Sequence, residues 1–176
     1  TLADAEVRNP YLALAIDEAA CHFFAGDPGF HGFVRMWQNP DAVCLGRTCD
    51  IQKNVLPPLL ADVQAGRRPA LPVLRRASGG GTVLHGPGNW NYTIALSLEK
   101  FPSVFAVVRS YETFLGMVRV ALAKQGIDSQ MRVQSDLVRI DTGRKISGNA
   151  QFRKRGICVH HGTLLVDSRF IERIAL

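Results

Sequence analysis

The stretch Leu71-Pro72-Val73-Leu74-Arg75-Arg76-Ala77-Ser78-Gly79-Gly80-Gly81-Thr82-Val83-Leu84-His85-Gly86-Pro87-Gly88-Asn89 decides how the rest of the chain is read. Leu71 to Arg75 has the composition of a short strand, and it runs straight into three adjacent glycines. Backbone amides there are free of side-chain cover and can approach a phosphate or a carboxylate closely. Arg75 and Arg76 add positive charge beside them. Taken alone, a glycine run is equally a flexible turn. The spacing lacks the Gly-Lys-Ser/Thr ending of a P-loop and the pattern of a dinucleotide-binding fingerprint, so both are excluded. His85 to Asn89 places a titratable ring and a tight turn next to the same loop, although a histidine by itself is more often structural than catalytic.

Working outward, Asn91 to Ser97 alternates as a strand does. Ser103 to Gln125 carries apolar residues at three- and four-residue steps (Phe105, Val108, Tyr111, Leu115, Val118, Leu122), with Gly126 placed as a C-terminal cap, and predicts the longest helix. Upstream, Asn9-Pro10 reads as an N-cap and first helical residue, and the stripe from Tyr11 to Phe23 predicts a helix ending near Gly26. Gly32 to Gly46 reads as two short strands around an Asn39-Pro40-Asp41 turn, expected to form a hairpin. Asp50 to Ala65 has helical character limited by Pro57 and Pro58. Downstream, Asp136 to Ile140, Lys145 to Phe152 and Cys158 to Val166 are strand candidates, and a short helix is expected from near Ser168 to the end. Hairpin-length connections outnumber crossover helices. The expected fold class is therefore α+β: a mixed, largely antiparallel sheet flanked by helices, forming a single domain over 1–176.

Composition supports a globular domain: 176 residues, 47% hydrophobic and 20% charged, close to soluble averages. Twenty-one Lys and Arg against fifteen Asp and Glu leave a formal charge of +6, compatible with nucleic acid, a phosphorylated ligand or an acidic protein. Cys21, Cys44, Cys49 and Cys158 show no CxxC pairing, so a structural metal site is not expected. With no signal peptide and no apolar run approaching the ~20 residues of a membrane span, a cytoplasmic protein with no membrane partner is expected.

Two further segments carry chemistry. Gly143-Arg144-Lys145-Ile146-Ser147-Gly148-Asn149-Ala150 sets Lys145 at a strand start among small residues, where a fixed ammonium could stabilise carboxylate and phosphate charge together. A lysine in a basic turn is the plainer reading. Cys158 precedes His160-His161-Gly162-Thr163; alternation puts Cys158 and His160 on one strand face and His161 on the other. A thiol there could be a nucleophile if a cation lowered its pKa, or simply a buried free cysteine.

Taken together, RRASGGGTVLHGPGNWNY, KISGNAQ and HHGTLLVD resemble, in order, three blocks of the lipoate-protein ligase and octanoyltransferase superfamily. NPYLALAIDEAA and WQNPDAVCLGR are similar to its opening helix and first strands. The resemblance implies the biotin/lipoate protein ligase catalytic-domain fold. It implies ATP and magnesium as co-substrates and lipoate as acyl substrate, with lipoyl-AMP formed first and the acyl group then passed to a lysine of an acceptor lipoyl domain or glycine-cleavage H-type protein. Nucleic acid is not an implied partner. By motif position, Arg76, Ser78, Gly79, Gly80, Gly81 and His85 would line the acyl and nucleotide pocket, together with Ser147, Gly148, His161 and Thr163. Asp136 would lie near the nucleotide and its magnesium, and Lys145 would be the central cation.

Two features point elsewhere. His85-Gly86-Pro87-Gly88 is more similar to the octanoyltransferases, and Cys158 in Cys-x-x-His-Gly resembles their acyl-bearing cysteine. That alternative implies octanoate moved from acyl carrier protein to lipoyl domains through a Cys158 thioester, with Lys145 lowering the thiol pKa and acting as base and no ATP used. Gly81 and Lys-Ile-Ser-Gly favour the ligase. Many ligases of the family carry an extra C-terminal domain, and this chain ends at Leu176 soon after the third block. The absent accessory domain implies either a separate small partner subunit or a sequence that is incomplete here, and a third expectation is thus a lipoate-binding module or a non-catalytic subunit of a two-chain enzyme.

Overall fold

The computed structural model describes residues 2–4, 9–133 and 135–167. The elements are β1 (Leu2–Asp4), α1 (Pro10–Phe23), β2 (Gly32–Trp37), β3 (Ala42–Leu45), α2 (Ile51–Asn54), α3 (Pro57–Gln64), β4 (Val73–Arg75), β5 (Val83–His85) and β6 (Asn89–Ser97). A 3-10 turn at Pro102–Val104 then leads to α4 (Val107–Ala123), β7 (Ser129–Arg132), β8 (Asp136–Arg139), β9 (Lys145–Lys154) and β10 (Ile157–Leu165). The helix expected from Ser168 lies outside the described residues.

Two sheets result. A seven-stranded sheet has the order β1-β2-β6-β10-β9-β8-β7, and a three-stranded sheet the order β4-β3-β5. Pairing is antiparallel except at β1 with β2 and β3 with β4. The α+β class and the mixed, largely antiparallel sheet are as expected. The centre of the large sheet is the longest ladder, Ile157 to Leu165 of β10 against Ser97 to Asn89 of β6. β9 and β10 are joined by a two-residue turn at Arg155 and Gly156, both at positive φ (51° and 77°), the mirror-image turn that matches the right-handed strand twist.

Two expectations about local structure are corrected. The strands β2 and β3 do not form a hairpin: β2 pairs with β1 and β6, whereas β3 pairs with β4 and β5 in the other sheet. Asn39, which a turn would use locally, is instead buried and donates from Nδ2 to His85 Nδ1 at 2.9 Å. The connection therefore steps between sheets. The long helix also starts later than its apolar pattern suggests. Val104 is buried in the 3-10 turn and Ala106 is extended (φ −72°, ψ 129°), so Phe105 and Val108 end up exposed and Phe114, Leu115 and Val118 form the buried stripe. Gly126 caps the other end at φ 74°, as its placement predicts.

The strand pleat divides the molecule into two cores. On one face Tyr92, Ile94, Leu137 and Cys158 pack with Val104, Phe114, Leu115 and Val118 under α4. On the other, Ala95, Ile157 and Val159 pack with Cys21 and Phe30 beside α1. Leu14 of α1, Trp37 and His161 belong to this second side and line a cavity. Among the described residues no helix is long and apolar enough to cross a membrane.

Candidate active site

The cavity encloses about 230 Å3 between the glycine loop and the ends of β8, β9 and β10. Its first wall follows from glycine. A Cβ on Gly46 would stand 1.9 Å from the Gly80 carbonyl oxygen, so only glycine there lets the loop lie against the end of β3. Arg47 N–H donates to the Ser78 carbonyl at 2.8 Å and Cys49 Sγ donates to the Gly80 carbonyl at 3.2 Å. Gly80 takes φ 87°, which L side chains rarely adopt. On Gly79 and Gly81 a Cβ would meet nothing within 4 Å. Gly81 therefore leaves open space at the cavity wall.

Both arginines before the loop act as braces. Arg75 Nη1 donates to the carbonyls of Gly46, Arg47 and Cys49. Arg76 Nη2 donates to the Gly79 carbonyl at 2.6 Å and the Gly81 carbonyl at 2.8 Å, while Nη1 donates to the Cys44 carbonyl at 3.2 Å. A guanidinium suits this work because its donors diverge in one plane. Arg76 lines the cavity, so its charge also faces whatever binds.

The opposite wall carries Lys145, whose Nζ lies 2.8 Å from Asp136 Oδ1. The lysine side chain remains 45% exposed, which leaves the ammonium accessible. A Cβ on Gly148 would meet Lys145 Nζ at 3.0 Å, so this glycine makes room for the lysine to fold back over its own strand. Thr163 Oγ1 sits 3.4 Å from the Gly148 amide. Gly162 is equally constrained, because a Cβ there would stand 1.9 Å from Asn149 Oδ1.

His85 lines the cavity, is packed edge-on to Trp37 and is held neutral: burial, then the nearby His161 and Arg76, lower its pKa to about 3. Because Asn39 Nδ2 donates to Nδ1, the ring hydrogen is on Nε2. His85 can thus donate to a ligand but does not supply charge.

Most of the expected residues converge: Arg76, Gly80, Gly81, His85, Asp136, Lys145, Gly148, His161 and Thr163 all line the cavity. Ser78, Gly79 and Ser147 stand behind it. Ser78 is fully buried, the Gly79 carbonyl is held by Arg76, and buried Ser147 accepts from Asn149 Nδ2 at 3.1 Å.

The pairing of Cys158 with Lys145 is corrected. Cys158 is fully buried on the α4 face and pairs in register with Arg153. Lys145 lies eight residues further along β9, on the order of 25 Å away at the rise of a strand. Burial raises the thiol pKa, and the cation that partly opposes it is Arg153. No thiolate is prepared here, and Cys158 is not among the residues that line the cavity beside Lys145.

Sequence reasoning overlooked Asn149, Trp37 and Asp17. Asn149 was within reach, being part of the quoted Lys-Ile-Ser-Gly-Asn block; it donates to the Ser135 carbonyl at 2.8 Å and lines the cavity. Trp37 and Asp17 gave no local signal, since their roles depend on packing across strands. Among the described residues no cluster of three or more His, Cys, Asp or Glu could hold a metal ion.

The lipoyl protein ligase A/B catalytic domain family matches the chain over residues 9–173. Lipoate-protein ligase LplJ of Bacillus subtilis is 30% identical over 162 residues, 92% of this chain and 44% of its own length. A Schizosaccharomyces pombe protein that carries the lipoate-protein ligase A name provisionally is 31% identical over 160 residues, 91% of this chain and 39% of its own. The chain thus spans less than half the length of these two relatives. A solved lipoate-protein ligase A bound with ATP superposes with TM-score 0.77 at 22% identity, covering 99% of this chain and 68% of that one. A chain from a structural study of a bi-partite lipoate protein ligase and its E2 lipoyl domain from Thermoplasma acidophilum superposes with TM-score 0.75 at 23% identity, covering 99% of this chain and 68% of that one.

Proposed function

Because the chain belongs to the lipoyl protein ligase A/B catalytic domain family, we propose that its cavity activates lipoate with ATP as lipoyl-AMP and passes the acyl group to a lysine of an acceptor lipoyl domain. The observation that carries this reading is the placement of Lys145, beside Asp136, in one cavity with Gly80 and Gly81 of the glycine loop.

The two walls suit the two halves of the reaction. Leu14, Trp37 and Val83 give the cavity an apolar portion for an aliphatic acid tail. At its polar end a lipoate carboxylate oxygen attacks the α-phosphorus of ATP, the bond to the β,γ-diphosphate breaks and pyrophosphate leaves. Negative charge grows on the phosphoryl oxygens during attack, and a fixed ammonium and preoriented amides stabilise it without reorganisation. Lys145 supplies the first, and the loop around Gly80 and Gly81 the second. Open space at Gly81 favours a nucleotide there. In the transfer step the acceptor amine attacks the acyl carbon and AMP leaves.

Asp136 is the one carboxylate lining the cavity among the described residues. Magnesium is normally held by one or two carboxylates plus substrate phosphates, so this residue fits the ion, which would neutralise phosphate charge when bound. The bi-partite T. acidophilum enzyme and its E2 lipoyl domain support an acceptor lipoyl domain, with a separate small subunit as a further proposed partner.

The test is direct. The protein is incubated with lipoate, magnesium and ATP, alone and with an accessory domain added, and the products are read by mass spectrometry. Lipoyl-AMP is expected. Its absence under both conditions overturns the reading.

A further inference from the structure

We infer that Asp17 is a positioning residue for the glycine loop: through His161 and Ser78 it fixes the Arg76 guanidinium, and with it the carbonyls that shape one wall of the cavity. The functional half of this inference rests on the proposed activation reaction. Its structural half does not.

The hydrogens along the path can be assigned in one direction. Arg76 Nε carries a hydrogen and no lone pair, so it donates to Ser78 Oγ at 3.0 Å. Ser78 keeps its own hydroxyl hydrogen, and His161 Nε2 stands 2.5 Å away. The serine is fully buried, and this nitrogen is the acceptor in reach. His161 Nε2 must then be bare, which puts the ring hydrogen on Nδ1. That nitrogen faces Asp17 Oδ2 at 3.7 Å, an electrostatic separation rather than a hydrogen bond.

Asp17 is held so that it can only attract. Thr93 Oγ1 donates to its Oδ2 at 2.7 Å, and Trp37 Nε1 donates to Thr93 at 3.2 Å. Arg35 Nη1 donates to Oδ1 at 3.0 Å and to the Ala13 carbonyl at 2.7 Å. Burying this ion pair is not explained by stability, since apolar residues of similar volume serve a core as well or better. Orienting the ring above it is a use that apolar residues could not replace. Arg76, at the far end, grips the Gly79 and Gly81 carbonyls.

The test is the nitrogen-15 pattern of the His161 ring, read by long-range proton–nitrogen correlation at alkaline pH in the full chain. Wild type should show a pyridine-type Nε2 and a pyrrole-type Nδ1. Asp17→Asn should shift hydrogen toward Nε2 and weaken ATP binding by calorimetry roughly tenfold, the size of a typical coupling between two sites; Asp17→Glu should restore both in part. If Asp17→Asn does not fold because its ion pair with Arg35 is lost, Ser78→Ala, which keeps that pair whole, should retain the wild-type tautomer and still bind ATP roughly tenfold less tightly. A hydrogen on Nε2 in wild type, or unchanged tautomer and affinity in a folded Asp17→Asn, or unchanged affinity in Ser78→Ala, overturns the inference. A wild type with the expected tautomer that binds ATP but makes no adenylate defeats the proposed reaction and leaves this inference standing.

Discussion

His160 and His161 are neighbours in β10, and the pleat sends one beneath α4 and the other toward the cavity beside α1. His160 is fully buried, stacked on Phe114 with ring centroids 4.9 Å apart, and shares its nitrogens with Gln151 and Asn149. His161 contacts Ser78 and faces Asp17. The same side chain is thus a packed aromatic disc on one face and part of the cavity lining on the other. The lesson extends along the strand: Cys158 shares the fate of His160, and Thr163 that of His161. Neighbours in sequence can have opposite work because a strand has two faces with different environments.

The largest effect expected from this division is functional. Lys145→Ala, on the cavity side, should lower adenylate formation by roughly 10²–10³-fold, the cost of deleting one preorganised group that stabilises developing charge. Its stability should change by no more than about 1 kcal/mol, because a half-exposed ion pair contributes little. Kinetics and a denaturant titration on one preparation check both. Full activity in that variant would break the assignment of the cavity face.

A second effect sharpens the comparison through pH. Burial lowers the pKa of His160 from 6.5 to about 3, and His85 behaves the same way. In the unfolded chain both rings take up a proton near their ordinary pKa, whereas the folded state excludes it. Stability is therefore full above pH 6.5 and falls as the pH drops toward 3. The slope should be about 1.4 kcal/mol per histidine per pH unit inside that window. His160→Gln should remove roughly half of it. Denaturant midpoints measured across the window would expose an equal slope in the variant, which would contradict the neutral, packed state of this ring.

The smallest effect is expected at Cys158. Cys158→Ala should cost about 1 kcal/mol, typical of a modest core truncation, and leave turnover unchanged. An inactive but folded variant would restore the thioester alternative and contradict the distance that separates Cys158 from Lys145.

Much of this arrangement was legible in the chain, but unevenly. The caps, Asn9 and Gly126, and the strand alternation around His160 and His161 are local signals, and they hold. The apolar period of α4 was also legible, yet its start was not: burial of Val104 in a separate turn outweighed a continuous helical pattern. The β2–β3 hairpin failed for a related reason, since sequence separation does not say which strand pairs with which. Lys145 and Cys158 illustrate the limit in the site itself, because motif spacing does not reveal that a long strand holds its ends far apart.

The sequence alone determined the α+β class, the glycine loop, the lysine and the resemblance to lipoate ligases, because these rest on local conformation and on short ordered blocks. Only the tertiary structure decided which face of β10 lines the cavity, that Cys158 is buried under α4, and that His161 lies between Asp17 in the first helix and Ser78. Those outcomes depend on strand register and on burial, which join residues 61 and 83 positions apart in the chain (Asp17 with Ser78, Ser78 with His161). No local pattern encodes such contacts.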